Sequence, residues 1–119
     1  MNLLAKAVPV SDELGAEDAK LITLAMGARG RIAATEGAAV RDEMGRTYSG
    51  ASISVGEFRL SAIELAIAQS VAAGARGLEL AVILGAEQAD LSLIRNFAGG
   101  GTPVLQCSAS GEILERLVT

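Results

Sequence analysis

The residue with the clearest potential for acid–base chemistry is Glu64, which lies in the apolar stretch RLSAIELAIAQSVAAG, residues 59–74. A carboxylate buried on such a helix needs a partner or takes a raised pKa. With a raised pKa, Glu64 would be a general base in a pocket. The alternative is an ion pair that is structural or crosses a subunit interface, for instance with an arginine of a neighbouring chain. We favour the ion pair.

Three serines, Ser52, Ser54 and Ser61, could supply hydroxyl groups to the same pocket. A nucleophilic Ser61 would need a base, but the sequence has no histidine, and its only lysines are Lys6 and Lys20. Serine hydroxyls more often hydrogen-bond to nearby backbone groups. We therefore expect these serines to fill space and bond locally rather than to attack a substrate.

Three acids could bind a hard cation such as Mg²⁺: Glu87 and Asp90, with Glu36 as a third oxygen donor. More often, acids in such positions cap helices or lie in their first turn. The single cysteine, Cys107, has no adjacent lysine or histidine to lower its pKa, so we predict a strand residue rather than a reactive thiol. The residues thus indicate no catalytic group, no metal and no cofactor.

Alternating helices and strands must position these side chains. Apolar residues at helical spacing predict a helix over 12–28, with Ser11 or Asp12 as its cap. Residues 36–54 predict two strands around a turn at Gly45. The remaining predictions are a helix over 59–74, a strand over 77–85 that is apolar enough to be covered on both faces, a helix over 88–97, a last strand in PVLQCSA and a terminal helix in GEILERLV.

This order, α-β-β-α-β-α-β-α, predicts one layered α/β domain over residues 1–119. Residues 1–10 carry no periodic signal, and we expect them to be loosely ordered. Half of the residues are hydrophobic but only 3% are aromatic, so small aliphatic side chains must form the core. So much apolar surface on a short chain favours a homo-oligomer, either a dimer or a tetramer.

Charge and hydropathy exclude several classes of partner. The net charge is −4 and the basic residues are scattered, so we expect no direct binding of nucleic acid. The apolar run AVILGA, residues 81–86, is far too short to span a membrane, and MNLLAKAV lacks the long apolar region of a signal peptide. A cytoplasmic protein is the expectation.

Several segments, taken in order, resemble the cytidine deaminase family, and small actinobacterial members in particular. The resemblance spans about residues 18–117 and implies a mixed sheet of about four to five strands with helices packed on it. The segments that carry it are Gly37-Ala38-Ala39-Val40, the turn Asp42–Arg46, Tyr48-Ser49-Gly50-Ala51, Leu60-Ser61-Ala62 with Ala66-Ile67, Ala81-Val82, and Thr102-Pro103-Val104-Leu105 followed by Gly111-Glu112.

The functional residues of that family are not retained. Its zinc site uses a His or Cys before an Ala-Glu pair and then Pro-Cys-x-x-Cys, the Glu moving protons without binding the metal. A chain with no histidine and one cysteine cannot assemble such a site. The resemblance places Ser61 at the first ligand, Ile63 at the proton-shuttling Glu, Glu87 and Asp90 near the two cysteines, and Ser52 and Ser54 at the residues that hold the ribose.

The sequence therefore predicts a remnant pocket rather than a working zinc centre. Together with Glu64, the six residues placed by the resemblance are its candidate lining. We expect a non-catalytic scaffold that oligomerises and acts through protein interaction. The alternative is a binder of nucleoside-like small molecules, or a hydrolase of altered, zinc-independent chemistry.

Overall fold

A computed structural model describes residues 14–119. The expectations for residues 1–10 and for a helix cap at Ser11 or Asp12 lie outside this range. Within it, the helices are α1 (Ala16–Arg31), α2 (Ala62–Ala72) and α3 (Leu91–Ala98), and the strands are β1 (Gly37–Asp42), β2 (Thr47–Ala51), β3 (Ile53–Val55), β4 (Phe58–Leu60), β5 (Leu78–Leu84), β6 (Pro103–Cys107) and β7 (Ile113–Val118). No helix in this part of the chain has both the length and the apolar character needed to cross a membrane.

Five of the strands form one mixed sheet in the order β2-β1-β5-β6-β7. Strand β1 is antiparallel to both β2 and β5, β5 is parallel to β6, and β6 is antiparallel to β7. Parallel neighbours need a crossover connection, which α3 provides between β5 and β6. The predicted α/β class, a mixed sheet of four to five strands with helices packed on it, is confirmed.

The central strand β5 has both faces covered, as its apolar run predicted. Its residues Ala81 and Ile83 pack into a buried cluster with Ile63 and Ile67 of α2. On the opposite face, Leu80, Val82 and Leu84 pack with α1 through Leu21, Ile22 and Ala25. The sheet therefore lies between α1 on one side and α2 and α3 on the other.

An ion-pair network holds α1 against the sheet. Arg41 of β1 lies 2.9 Å from Asp18 of α1 and donates from Nε to Glu79 of β5, also at 2.9 Å. The Arg41 side chain is only 18% exposed, so its charge is partly shielded from water and needs both carboxylates. The network connects three elements whose sequence separation gives no hint of the contact.

The prediction of a terminal helix is wrong, because GEILERLV contains strand β7, which pairs with β6 from Val118 opposite Pro103 to Ile113 opposite Cys107. The predicted last strand, PVLQCSA, is therefore not the last. The hairpin of β3 and β4 was also missed, and it delays the start of the central helix from residue 59 to Ala62. In both places, pairing with a neighbouring strand outweighs local helical spacing.

Candidate functional site

The chemistry-bearing residues gather at the N terminus of α2. Ser61 is the N-cap, and its Oγ accepts a hydrogen bond from the backbone N–H of Glu64 at 3.1 Å. The Glu64 carboxylate in turn accepts from the Ser61 N–H at 2.7 Å. A serine followed three residues later by a glutamate favours this reciprocal capping box, which satisfies two N–H groups that the helix leaves unpaired.

The expectation that Glu64 is buried is wrong. Its side chain is exposed, and its carboxylate turns back onto the helix terminus rather than toward the core. Among residues 14–119 it forms no salt bridge and contacts no arginine by hydrogen bond. Within the subunit Glu64 is therefore a helix cap. An ion pair with an arginine of a neighbouring chain stays a prediction.

A second carboxylate reaches the same helix end. Glu36 Oε1 lies 3.4 Å from the Ala62 N–H, and Glu36 is half-buried. Ser52 fixes the backbone of Glu36, because Ser52 Oγ accepts a hydrogen bond from the Glu36 N–H at 3.0 Å and shares another with Thr35 Oγ1 at 3.2 Å. The positive end of the helix dipole is thus compensated by the chain's own carboxylates, on N–H groups that could otherwise bind an anion.

Ile63, the next residue of the predicted pocket, is part of the core. It is 4% exposed and belongs to the cluster that includes Ala38 and Val40 of β1. A branched alkyl group therefore occupies this position and packs against the sheet, and it exposes no polar atom to a cavity.

The other predicted residues lie elsewhere. Ser54 is exposed on β3. Asp90 is the N-cap of α3, where hydrogen bonds from the Ser92 hydroxyl at 2.6 Å and N–H at 3.0 Å lower the pKa of the Asp90 carboxyl. Glu87 is exposed, and only its backbone carbonyl is engaged, by Gln106 Nε2 at 3.1 Å. Within the described residues, no hydrogen bond connects Glu87 or Asp90 to the group around α2.

These donors do not fit a bound zinc ion. In residues 14–119 no three His, Cys, Asp or Glu side chains cluster closely enough to hold a metal. The lone thiol, on Cys107, is buried on β6 in the cluster that faces α1, the side of the sheet opposite α2. Burial raises the pKa of that thiol to about 11, so it stays protonated at neutral pH and is a poor ligand and nucleophile.

A groove of about 320 Å³ lies at the β2 edge of the sheet, one to two turns along α2 from its capped end. Its walls include Arg31 and Ile32 at the end of α1, Ile53 of β3, and Leu65 and Gln69 of α2. None of the four candidate acids, Glu36, Glu64, Glu87 and Asp90, lines it. The groove and the remnant pocket of the sequence prediction are therefore different places.

Sequence reasoning missed this region, although one signal was present. The segment ISVGEFRL contains two runs rich in β-forming residues, separated by Gly56 and Glu57, a spacing typical of a tight hairpin. A helix predicted to begin at residue 59 overlaps the second run, which the structure shows as strand β4. The groove itself has no sequence signal, because four separate elements, α1, β2, β3 and α2, build it.

The capping geometry predicts how two substitutions differ. Ser61→Ala removes the acceptor for the Glu64 N–H and should lower the free energy of unfolding by about 1 kcal/mol. Glu64→Gln keeps an oxygen that can accept from Ser61 N–H, so its loss should be only a few tenths of a kcal/mol. Urea unfolding checks both values. A larger loss for Glu64→Gln than for Ser61→Ala would mean that the carboxylate does more than cap the helix.

The model of the cytidine deaminase-like family matches residues 14–111. Among solved structures, the chain is similar to a cytidine deaminase from Mycobacterium leprae, at 16% identity over 83% of this chain and 90% of that one, with a TM-score of 0.64. It is also similar to a cytidine deaminase from Burkholderia pseudomallei, at 20% identity over 84% and 89% of the two chains, with a TM-score of 0.66. No curated protein sequence matches it. The structural neighbours show the fold, the family match covers most of the length, and the chain belongs to the cytidine deaminase-like family.

Proposed function

We propose that the chain is a non-catalytic cytidine deaminase-like scaffold that self-associates and acts through contact with another protein. The observation that carries the proposal is that residues at the N terminus of α2 have structural roles in place of catalytic ones. The resemblance places the family's first metal ligand and proton shuttle at Ser61 and Ile63. Here Ser61 caps the helix and Ile63 is buried in the core. Both residues therefore stabilise the fold.

The donor inventory supports the same proposal. A catalytic zinc needs three nitrogen, sulfur or carboxylate ligands and an open position for water. The chain offers no histidine, and its one thiol lies on the other side of the sheet from α2. Asp90 is engaged in capping α3. No step through a metal can be assigned to these residues.

The capacity to self-associate is supported by α2 and its surroundings. This helix is apolar nearly all round, which is typical of a helix covered on every side. Its inner residues pack on the sheet, whereas Ala68 and Ala72 are exposed and Val71 is 51% exposed. Ile32, at the end of α1, is 56% exposed. A second chain is the simplest cover for such a surface.

The test measures metal, activity and mass on one preparation. We expect substoichiometric zinc, no conversion of cytidine to uridine, and a sedimenting mass that is a multiple of 12.1 kDa. Cys107→Ala should leave the zinc content unchanged, and it is the matched control because no other thiol exists. Stoichiometric zinc together with deamination would contradict the non-catalytic part. A monomer that recovers no partner from cell extract would contradict the scaffold part.

The alternative, a pocket for nucleoside-like molecules, is tested by thermal shift against nucleosides, nucleotides and free bases. A ligand at a hundred times its dissociation constant would stabilise the fold by about 2.7 kcal/mol. We expect flat melting curves, because Glu36 and Glu64 are already bonded to backbone N–H groups and no candidate acid lines the groove. A clear shift with one ligand class would favour the alternative.

A further inference from the structure

The hairpin of β3 and β4 carries an apolar face that the subunit does not cover. Val55 pairs with Phe58 across a two-residue turn, and Ile53 pairs with Leu60 at the base. Alternation along a strand places these four side chains on one face. Ile53 and Leu60 are half-buried, but Val55 is 72% exposed and Phe58 is 60% exposed. Since an isolated two-stranded hairpin is only marginally stable in water, this tip needs another surface.

The groove at the β2 edge is adjacent to the hairpin. Ile53 both lines the groove and begins β3, so the tip and the groove share one side of the molecule. Ile32 and Leu65 give the groove apolar walls, and Ile32 is 56% exposed. A phenylalanine ring, which buries about 150–250 Å² when covered, is a suitable occupant for a cleft of this size.

The charges at the two places are complementary. Glu57 lies at the turn of the hairpin, next to Phe58, and Arg31 lies on the groove wall. Both are exposed, and within residues 14–119 neither side chain forms a hydrogen bond or a salt bridge. An unpaired acid beside the apolar tip and an unpaired base beside the apolar groove favour one orientation of contact.

We propose that the groove of one subunit receives the hairpin tip of a second copy of this chain, with Phe58 against the apolar walls and Glu57 facing Arg31. Because tip and groove are neighbours, a twofold-related pair can exchange tips reciprocally and close the interface. The inference deepens the proposed function and depends on its self-association. It adds which surface mediates that association.

The first experiment is sedimentation equilibrium of the full-length wild type and of Phe58→Asp. We expect Phe58→Asp to raise the dissociation constant at least about 30-fold, as the loss of a central interface residue does. Leu114→Asp is the matched control, because Leu114 is 64% exposed on β7 at the opposite edge of the sheet. Its constant should stay within about threefold of the wild type. Circular dichroism checks that both variants fold.

A charge exchange then tests the orientation. Glu57→Arg and Arg31→Glu should each weaken association about tenfold, and the double variant should return to within about threefold of the wild type, because the pair is restored in reverse. If the free energy of association lost in the double variant equals the sum of the losses in the two single variants, the proposed contact is overturned. An oligomer that Phe58→Asp leaves unchanged would overturn this interface but not self-association. A wild type that is monomeric at every concentration would overturn both.

Discussion

Replacing Asp42 with asparagine is expected to lower the free energy of unfolding by about 3 kcal/mol, through hydrogen bonds to a charged group that the amide cannot keep. Asp42 is fully buried at the end of β1. Its Oδ1 accepts from the N–H groups of Met44 and Arg46, both at 2.9 Å. Its Oδ2 accepts from Arg46 Nε at 2.8 Å and from the Tyr48 hydroxyl at 3.0 Å.

An asparagine in this place has one oxygen for two sets of donors. Whichever way the amide turns, its NH₂ group faces either two backbone N–H groups or the guanidinium and the phenol. The melting temperature should therefore fall by on the order of 10 °C. Glu112→Gln makes the same chemical change at an exposed residue whose carboxylate forms no hydrogen bond in the described part of the chain, and it should leave the melting temperature unchanged.

The same site predicts a dependence on pH. Burial alone would raise the pKa of Asp42, but the hydrogen bonds from Arg46, Met44 and Tyr48 outweigh it and hold the pKa below the ordinary value of 3.8. A depressed pKa contributes stability that is present above 3.8 and is lost as the pH falls through the value in the folded state. The gap between wild type and Asp42→Asn should narrow as the pH is lowered below 3.8. A gap that stayed constant would show that the Asp42 charge contributes nothing.

The sequence predicted the first hairpin and the central strand because their signals are local. Gly45 takes a φ of +83° in the turn between β1 and β2, as its position between two strand patterns indicated. The apolar run of β5 was likewise sufficient to predict a strand covered on both faces. By contrast, β7 is recognisable only through β6, its partner in the sheet. Its residues alone are equally compatible with a helix, and a non-local contact decides between them.

The candidate site shows the same division. The Ser-x-x-Glu signature of a capping box was present at Ser61 and Glu64. Because α2 is apolar on nearly every side, the sequence does not show which face of the helix is exposed to water, and so does not show that Glu64 is exposed. The sequence suggests Glu36 as a cation ligand or a polar group of the pocket, and its contact with Ala62 spans 26 positions of sequence. The groove depends on the packing of α1, β2, β3 and α2, which no short pattern encodes.

The packing of α1 on the sheet predicts a large loss of stability for a substitution at Gly37. A side chain here would overlap the carbonyl oxygen of Ala25 and come within 2.8 Å of Arg29 Cβ, so β1 and α1 approach each other with no room for a methyl group. Gly37→Ala must push α1 off the sheet and strain its contacts. We expect a loss of about 2–3 kcal/mol in the free energy of unfolding, the upper range for overpacking.

Gly27→Ala is the matched control, because it makes the same change within α1 itself. Gly27 is exposed and a methyl group there meets nothing closer than Arg31 Nη2 at 3.9 Å. Alanine favours a helix interior by about 1 kcal/mol over glycine, so this variant should gain stability. If urea unfolding gives changes in the free energy of unfolding of opposite sign for the two variants, the distance between α1 and the sheet is fixed by the backbone contact at Gly37. A neutral Gly37→Ala would mean that α1 can shift freely, and then the groove walls at Arg31 and Ile32 could not hold a defined shape.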